Sequence, residues 1–329
     1  MTMGVSNLGT LSLLTFIMQN NDTQLNTLGT ELSSGQASQS LSGYGPQAQP
    51  VLNLNATIAA ANAYVSTSTT VSTYLSGTDT SLTELIKDAN QLSKGLTDLS
   101  TNAGSFSVTA LTGLVSGLGL DVTTTLNTQV GNRYIFAGTR YNTPPVLDIN
   151  SLPAPGAPTA FAAVTSPLLP AYDTDAAANP GGEASAWAQS TATIAASETI
   201  SYGVSSNDTP IQQLVYALQN AAAATNSSGA TQAQYVSLAQ DAVQQAIAGL
   251  QNLQAKNGAV MSQVNNTQTA QKQSVATLTG MLNGITGVDT TKVSVQIASL
   301  QTQMQASYRV TSTLLNLSLA NYLSGSGAA

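Results

Sequence analysis

"LQTQMQASYRVTSTLLNLSLANYL", residues 300–323, reads as a single helix whose apolar side chains cover a wide face. Ile297, Leu300, Met304, Tyr308, Thr311, Leu315, Leu319 and Tyr322 follow in steps of three and four, the spacing that keeps side chains on one side of an α-helix. Val310, Leu314 and Leu317 widen that side. Chain ends are usually polar and frayed, so an apolar helix placed here requires a cover.

The opening of the sequence offers one. Leu11, Leu14, Met18, Leu25, Leu28 and Leu32 form a heptad seam of the kind that packs against another helix, with Asn21 at the one seam position that lacks an apolar side chain. Gly35 ends it, and the glycine, serine and proline of residues 33–50 read as a loop. A second seam runs from Val51, Leu54, Ile58 and Val65 through Leu75, Leu82 and Ile86, and Leu92, Leu96 and Leu99 extend it after a small phase shift. Gly77 is expected to interrupt this helix, with Ser81 and Glu84 recapping a second segment. Val108, Leu111, Val115, Leu118 and Val122 continue the helical period.

The period changes at "GNRYIFAGTRYNTPPV", residues 131–146, where aromatic and β-branched residues stand between glycines. This predicts a hairpin with Tyr134 and Phe136 in its core and Arg133 and Arg140 flanking it. Residues 143–200 hold eight of the eleven prolines and the only tryptophan, Trp187, and predict an outward-facing insertion of loops and strands. Thr209, Pro210 and Gln212 signal a new helix start. Val236, Val243, Ile247, Leu250, Val264, Leu278 and Leu282 predict a second very long helix over 231–283, ended by Gly284 and Gly287, and the last helix starts near Asp289.

The expected fold class is therefore mainly α: a long antiparallel α-helical coiled-coil rod from both chain ends, with a small β-hairpin and a loop- and strand-rich central insertion. The expected domains are 1–35 with 289–329 as the terminal-helix domain, 36–142 with 200–288 as the long-helix domain carrying the hairpin, and 143–199 as the outer insertion. Two terminal helices alone cannot bury apolar faces this wide. The surplus predicts that further copies of the chain cover it, although the same stripes would also suit the core of a compact helical domain.

Composition narrows the function classes. Charged residues are 7% against about 25% in an average protein. The eight cations are scattered and the net charge is -7, so no basic patch exists to neutralise nucleic-acid phosphates. Cysteine and histidine are both absent, which removes disulfides, thiolate chemistry, imidazole metal sites and the commonest general base. No catalytic, cofactor-binding or metal residues are expected. Asp173, Asp175 and Glu183 share a loop, but their spacing misses the EF-hand pattern. No positive n-region precedes a cleavage site and no run of eighteen apolar residues occurs. Neither a cleaved signal peptide nor a membrane span is expected.

These stretches carry a resemblance to the bacterial flagellin superfamily. "LSLLTFIMQNNDTQLNTLGTELSSG" resembles its N-terminal helix, ending in the leucine-serine-serine-glycine signature at Leu32, Ser33, Ser34 and Gly35. "GNRYIFAGTRYNTPPV" is similar to its aromatic hairpin motif, carried here by Gly131, Arg133, Tyr134, Phe136, Gly138 and Thr139. "VDTTKVSVQIASLQTQMQASYRVTSTLLNLSLANYL" resembles its C-terminal helix. Gln36 stands where the family usually has arginine, and "YGPQAQP" replaces an acidic stretch. The resemblance implies a secreted, extracellular, self-assembling structural protein of the bacterial flagellum that serves motility, exported unfolded. Its partners would be copies of itself, other flagellar axial proteins, a cap protein and an export chaperone. Filament flagellin is the expected identity; the hook–filament junction protein is the alternative, and a secreted adhesin that does not polymerise is a third class. The expected subunit interface comprises Leu11, Leu14, Met18, Leu25, Leu28 and Leu32 with Ile297, Leu300, Met304, Tyr308, Leu315 and Leu319.

Overall fold

The computed structural model describes residues 2–101, 107–153, 155–161 and 187–325. Asp173, Asp175 and Glu183 lie outside the described residues. Six helices dominate: α1 (Thr2–Ser34), α2 (Ala48–Ser100), α3 (Val108–Leu126), α4 (Thr209–Thr225), α5 (Gly229–Thr286) and α6 (Thr290–Gly325). Two short hairpins accompany them, β1 (Gln129–Val130) with β2 (Arg133–Tyr134), and β3 (Ser190–Ala195) with β4 (Glu198–Tyr202), both antiparallel. The mainly helical fold expected from the sequence is what forms. The chain divides into two compact units, Met1–Ala60 with Ser274–Ala329, and Ala61–Gln273.

In the first unit α1 packs antiparallel along α6. The turn that ends α1 is tied to the turn that opens α6. Gln36 and Gly287 form a single antiparallel bridge, the Ala37 amide donates to the Thr286 carbonyl at 2.8 Å, and the Val288 amide donates to the Gly35 carbonyl at 3.0 Å. Gly35 holds a φ of 70°, a left-handed conformation that costs glycine little and ends the helix. Asp289 caps α6: its Oδ1 accepts from the Thr291 and Lys292 amides, each at 3.0 Å. A carboxylate at a helix N-terminus also meets the positive end of the helix dipole.

The second unit is organised around one helical core. Leu82, Leu85, Leu92 and Leu96 of α2 meet Leu111, Val115, Leu118, Val122 and Leu126 of α3, Ile211, Leu214 and Leu218 of α4, and Val236, Val243 and Leu250 of α5. Burial of each such side chain contributes about 1.5–3 kcal/mol relative to exposure. Ser107 caps α3 by accepting from the Ala110 amide at 3.2 Å. Asp208 occupies the N-cap of α4, one residue before the expected Thr209, with Pro210 in the first turn. A smaller cluster lies along the same helices, where Val71, Leu75 and Val264 cover Ile194, Ile200 and Tyr202 of the β3–β4 hairpin.

Within this unit α2 and α5 run antiparallel, joined by amides and hydroxyls. Gln254 donates to Thr83 Oγ1 at 2.9 Å, Gln268 to Thr69 Oγ1 at 2.8 Å, and the buried Asn257 to the Leu75 carbonyl at 2.9 Å. Two ion pairs, Lys87–Glu84 and Lys94–Asp98, lie within α2.

Gly77 does not interrupt α2, which runs unbroken for 53 residues, and Ser81 is a buried position inside the helix rather than a cap. Glycine costs a helix about 1 kcal/mol against alanine, less than the burial of Leu75 and Leu82 on either side returns. Its missing β-carbon instead admits the Val130 side chain of the β1–β2 hairpin. Gly284 likewise falls inside α5, and the helix ends at Thr286. The hairpin turns through Gly131 and Asn132, with φ of 52° and 60°, the positive pair that a two-residue type I′ turn requires.

Candidate functional site

The terminal pair is where the sequence placed its interface. One stripe of α1 faces α6: Leu14, Met18, Leu25 and Leu28 are half-buried and Asn21 is buried. The answering stripe of α6 is Val293, Ile297, Leu300, Met304, Ser307, Thr311 and Leu314, with Val293 and Leu300 buried and the rest half-buried. Thr311 Oγ1 donates to Met18 Sδ at 3.9 Å across the pair. Both stripes alternate steps of four and three, a 3.5-residue period. The sequence stepping through Tyr308 and Leu315 follows 3.6 residues per turn and drifts off that line. Tyr308 and Leu315 therefore point outward, 53% and 54% exposed.

The residues expected between subunits thus divide into two groups. Leu14, Met18, Leu25, Leu28, Ile297, Leu300 and Met304 belong to the seam inside the chain. Tyr308 and Leu315 stand outside it, and Leu32 is 38% exposed because Glu31 takes the half-buried position at that end. The side chains of Leu11 and Leu319 lie outside the described residues. Further apolar side chains stay bare on the same two helices: Leu13, Phe16 and Ile17 on α1, Val295 and Val310 on α6. Phe16 is 65% exposed.

One flank of the pair opens into a cleft of about 620 Å³ over Asn21, walled by Thr23, Gln24 and Thr27 of α1 and Gln296, Ser299 and Gln303 of α6. Asn21 is 8% exposed, and its Nδ2 has no hydrogen-bond partner. The sequence marked Asn21 only as a gap in the seam. Its missing partner is a three-dimensional fact that spacing does not carry.

The hairpin motif builds a second polar feature. Phe136 is fully buried in the helical core, while Tyr134 packs on Ala137 with Trp187. The Arg133 guanidinium lies between the Tyr74 and Tyr141 rings, 4.8 and 4.5 Å from their centroids, and donates to Ser190 Oγ at 3.3 Å. Gly138 takes a φ of 60° and Thr139 is exposed. No sequence pattern links Tyr74 to Arg133, since the helix and the hairpin that carry them meet only in the fold.

Between α2 and α3, Asp88 is buried beside Asp121 in a cleft also lined by Glu84, Lys87, Gln91 and Thr124. Its carboxyl is pushed up to about 6, first by burial and then by repulsion from Asp121. Among the described residues no group of three acidic or metal-binding side chains could hold a metal ion. No helix among them is long and apolar enough to cross a membrane.

The geometry defines a class: a mainly helical protein whose first and last described helices pair and leave apolar side chains outside the pair. Residues 240–323 match the bacterial flagellin C-terminal helical region. In fold it is similar to a solved structure described as a putative flagellar hook-associated protein from Vibrio parahaemolyticus. That likeness has a TM-score of 0.54 at 14% identity, and covers 74% of this chain and 100% of the other. No curated protein matches the chain in sequence.

Proposed function

We propose that this chain is a structural subunit of the axial part of a bacterial flagellum, outside the cell, assembling with copies of itself through α1 and α6. The observation that carries the reading is the split of the terminal stripes. One stripe satisfies the pair inside a single chain, while Phe16, Tyr308 and Leu315 remain outside it and bare. Assembly covers them, and burial at about 25 cal/mol per Å² of apolar area supplies the driving force. Sparse charge keeps repulsion between like chains low. The role is structural rather than catalytic.

Filament flagellin is the finer reading, supported by the scarcity of charge, which suits close packing of many copies. The hook–filament junction protein is a second reading with specific support: the aromatic hairpin around Tyr134 and Phe136, the ending "LSLANYL", and the fold likeness to a protein described as hook-associated. In either role the terminal helices are covered by neighbouring subunits. An export chaperone and a cap protein are the transient partners.

Immunogold electron microscopy of sheared flagella separates the two readings: label along the whole length marks the filament subunit, label at the proximal end alone marks the junction. Leu315→Asp tests the assembly reading beneath both. It should leave the monomer's helicity unchanged and abolish polymerisation, whereas normal polymers from this variant would refute the reading.

A further inference from the structure

The cleft over Asn21 has an order along its length. At one end the flank carries Leu13 and Ile17 of α1 and Val310 of α6, all exposed or nearly so. At the other end it carries the amides and hydroxyls around Asn21, with Gln24 and Gln303 facing across the pair. A buried amide donor without a partner costs roughly 1–3 kcal/mol. Among the described residues none supplies Asn21 Nδ2 with an acceptor.

The opposite flank of α6 has the same order. Ser294 and Gln301 are exposed and polar, and Tyr308 and Leu315 follow as exposed apolar side chains. Gln301 lies two positions from Gln303, so on a helix rising 1.5 Å per residue it stands about 3 Å from the polar level of the cleft. Tyr308 lies two positions from Val310, at the apolar level. Two copies laid side by side in the same direction, with little axial shift, therefore place amide against amide and apolar against apolar.

We propose that the Asn21 cleft receives the Gln301–Leu315 flank of α6 from a second copy, and that Asn21 fixes the axial register by turning its Nδ2, buried in the single chain, into the cleft to donate to the Gln301 side-chain oxygen. This rests on the assembly reading above and assigns its contact. Slippage by about two helical turns, the seven residues from Gln301 to Tyr308, would leave the Asn21 amide against Tyr308, so register is set by a polar group that is costly to mispair. The two flanks differ, so the contact is head-to-tail; such contacts propagate into rings or helical arrays rather than closing a dimer.

The absence of native cysteine provides a direct test. Full-length Gln24→Cys and full-length Gln301→Cys are purified separately, mixed, assembled and mildly oxidised. The two positions lie on opposite flanks of the pair, so a bridge between them must join two chains. Expected is a mixed disulfide between Gln24→Cys and Gln301→Cys chains, dominant over bridges between identical variants and absent before assembly. Polymers that form without the mixed bridge overturn the register proposal and leave the assembly reading standing; wild-type chains that never polymerise overturn both. Asn21→Leu is the second variant. It should keep the monomer's helicity, since an apolar side chain suits the seam, yet yield polymers without a single axial repeat. Regular polymers from Asn21→Leu would also overturn the proposal.

Discussion

Val130 Cγ2 lies 2.6 Å from the point where a β-carbon on Gly77 would stand, so α2 and the first hairpin touch at a place only glycine allows. Gly77→Ala should remove about 1 kcal/mol of helix cost and add an overpacking cost of about 1–3 kcal/mol. The expected net is destabilisation by about 1 kcal/mol. Urea unfolding of the variant measures it, and a gain in stability would mean that Val130 moves aside without cost.

How much of this was legible in sequence is clearest at that contact. Periodicity identified Leu75 and Leu82 as one helical stripe, and they are. It also read Gly77 as a break, because a propensity scale weighs a residue without its tertiary neighbours. The same limit applies at the chain ends. The apolar stripes of α1 and α6 were evident, but their division into an inner seam and an outer face depends on a period of 3.5 rather than 3.6, and that difference displaced Tyr308 and Leu315. In the middle, proline density suggested a peripheral insertion over 143–199. Yet β3 begins at Ser190, and Ile194 is fully buried against the long helices. The alternation of small β-strand residues in "STATIA" was the available signal, masked by the composition around it.

Deleting 150–195 should therefore destabilise the second unit rather than spare it. Loss of Ile194 and of the strand paired with Ile200 uncovers Val71, Leu75 and Val264, a cost of about 2–5 kcal/mol for the isoleucine alone. Thermal melting followed by circular dichroism should show a lowered midpoint; an unchanged one would make the β3–β4 hairpin dispensable.

Asp88 gives the second unit a pH dependence whose sign can be stated. Its carboxyl titrates near 6 in the folded chain against 3.8 for an unperturbed aspartate, so the folded state holds the proton more tightly. The contribution is fully present below about 3.8 and is lost as pH rises through 6. Glu84 and Lys87 on α2 and Asp121 on α3 are the charged groups that face it. Asp88→Asn should flatten this dependence and raise stability at neutral pH by about 1 kcal/mol, allowing for solvent screening in the cleft. Parallel denaturant unfolding at pH 4.5 and pH 7.5 measures the difference, and equal slopes in variant and wild type would remove Asp88 from the account.

Arg133 joins the hairpin to α2 through two aromatic faces and to β3 through Ser190. Lysine keeps the charge but loses the planar group that stacks on Tyr74 and Tyr141. Arg133→Lys should cost about 1 kcal/mol, read as faster amide hydrogen exchange in β2. Exchange rates equal to wild type would show that charge alone holds the hairpin.

Gly29 and Gly35 bound one helix segment, and the same substitution at each separates backbone conformation from packing. Neither Gly29 nor Gly35 has any neighbouring atom that an added β-carbon would meet. Gly29 lies inside α1, where alanine should stabilise by roughly 0.5–1 kcal/mol through lost freedom of the unfolded chain and better helix propensity. Gly35 holds its φ of 70° while its carbonyl accepts from the Val288 amide at 3.0 Å. Alanine there should cost about 1–2 kcal/mol of left-handed strain and loosen the tie between the end of α1 and the start of α6. Hydrogen exchange at Ala37 and Val288, whose amides make that tie, should accelerate in Gly35→Ala and slow or stay constant in Gly29→Ala. Opposite signs from one chemical change at two open positions would assign the effect to backbone conformation, because packing is the same nothing at both. Acceleration in both variants would instead mean that the terminal pair tolerates no change in α1, and that the turn is not its specific clasp.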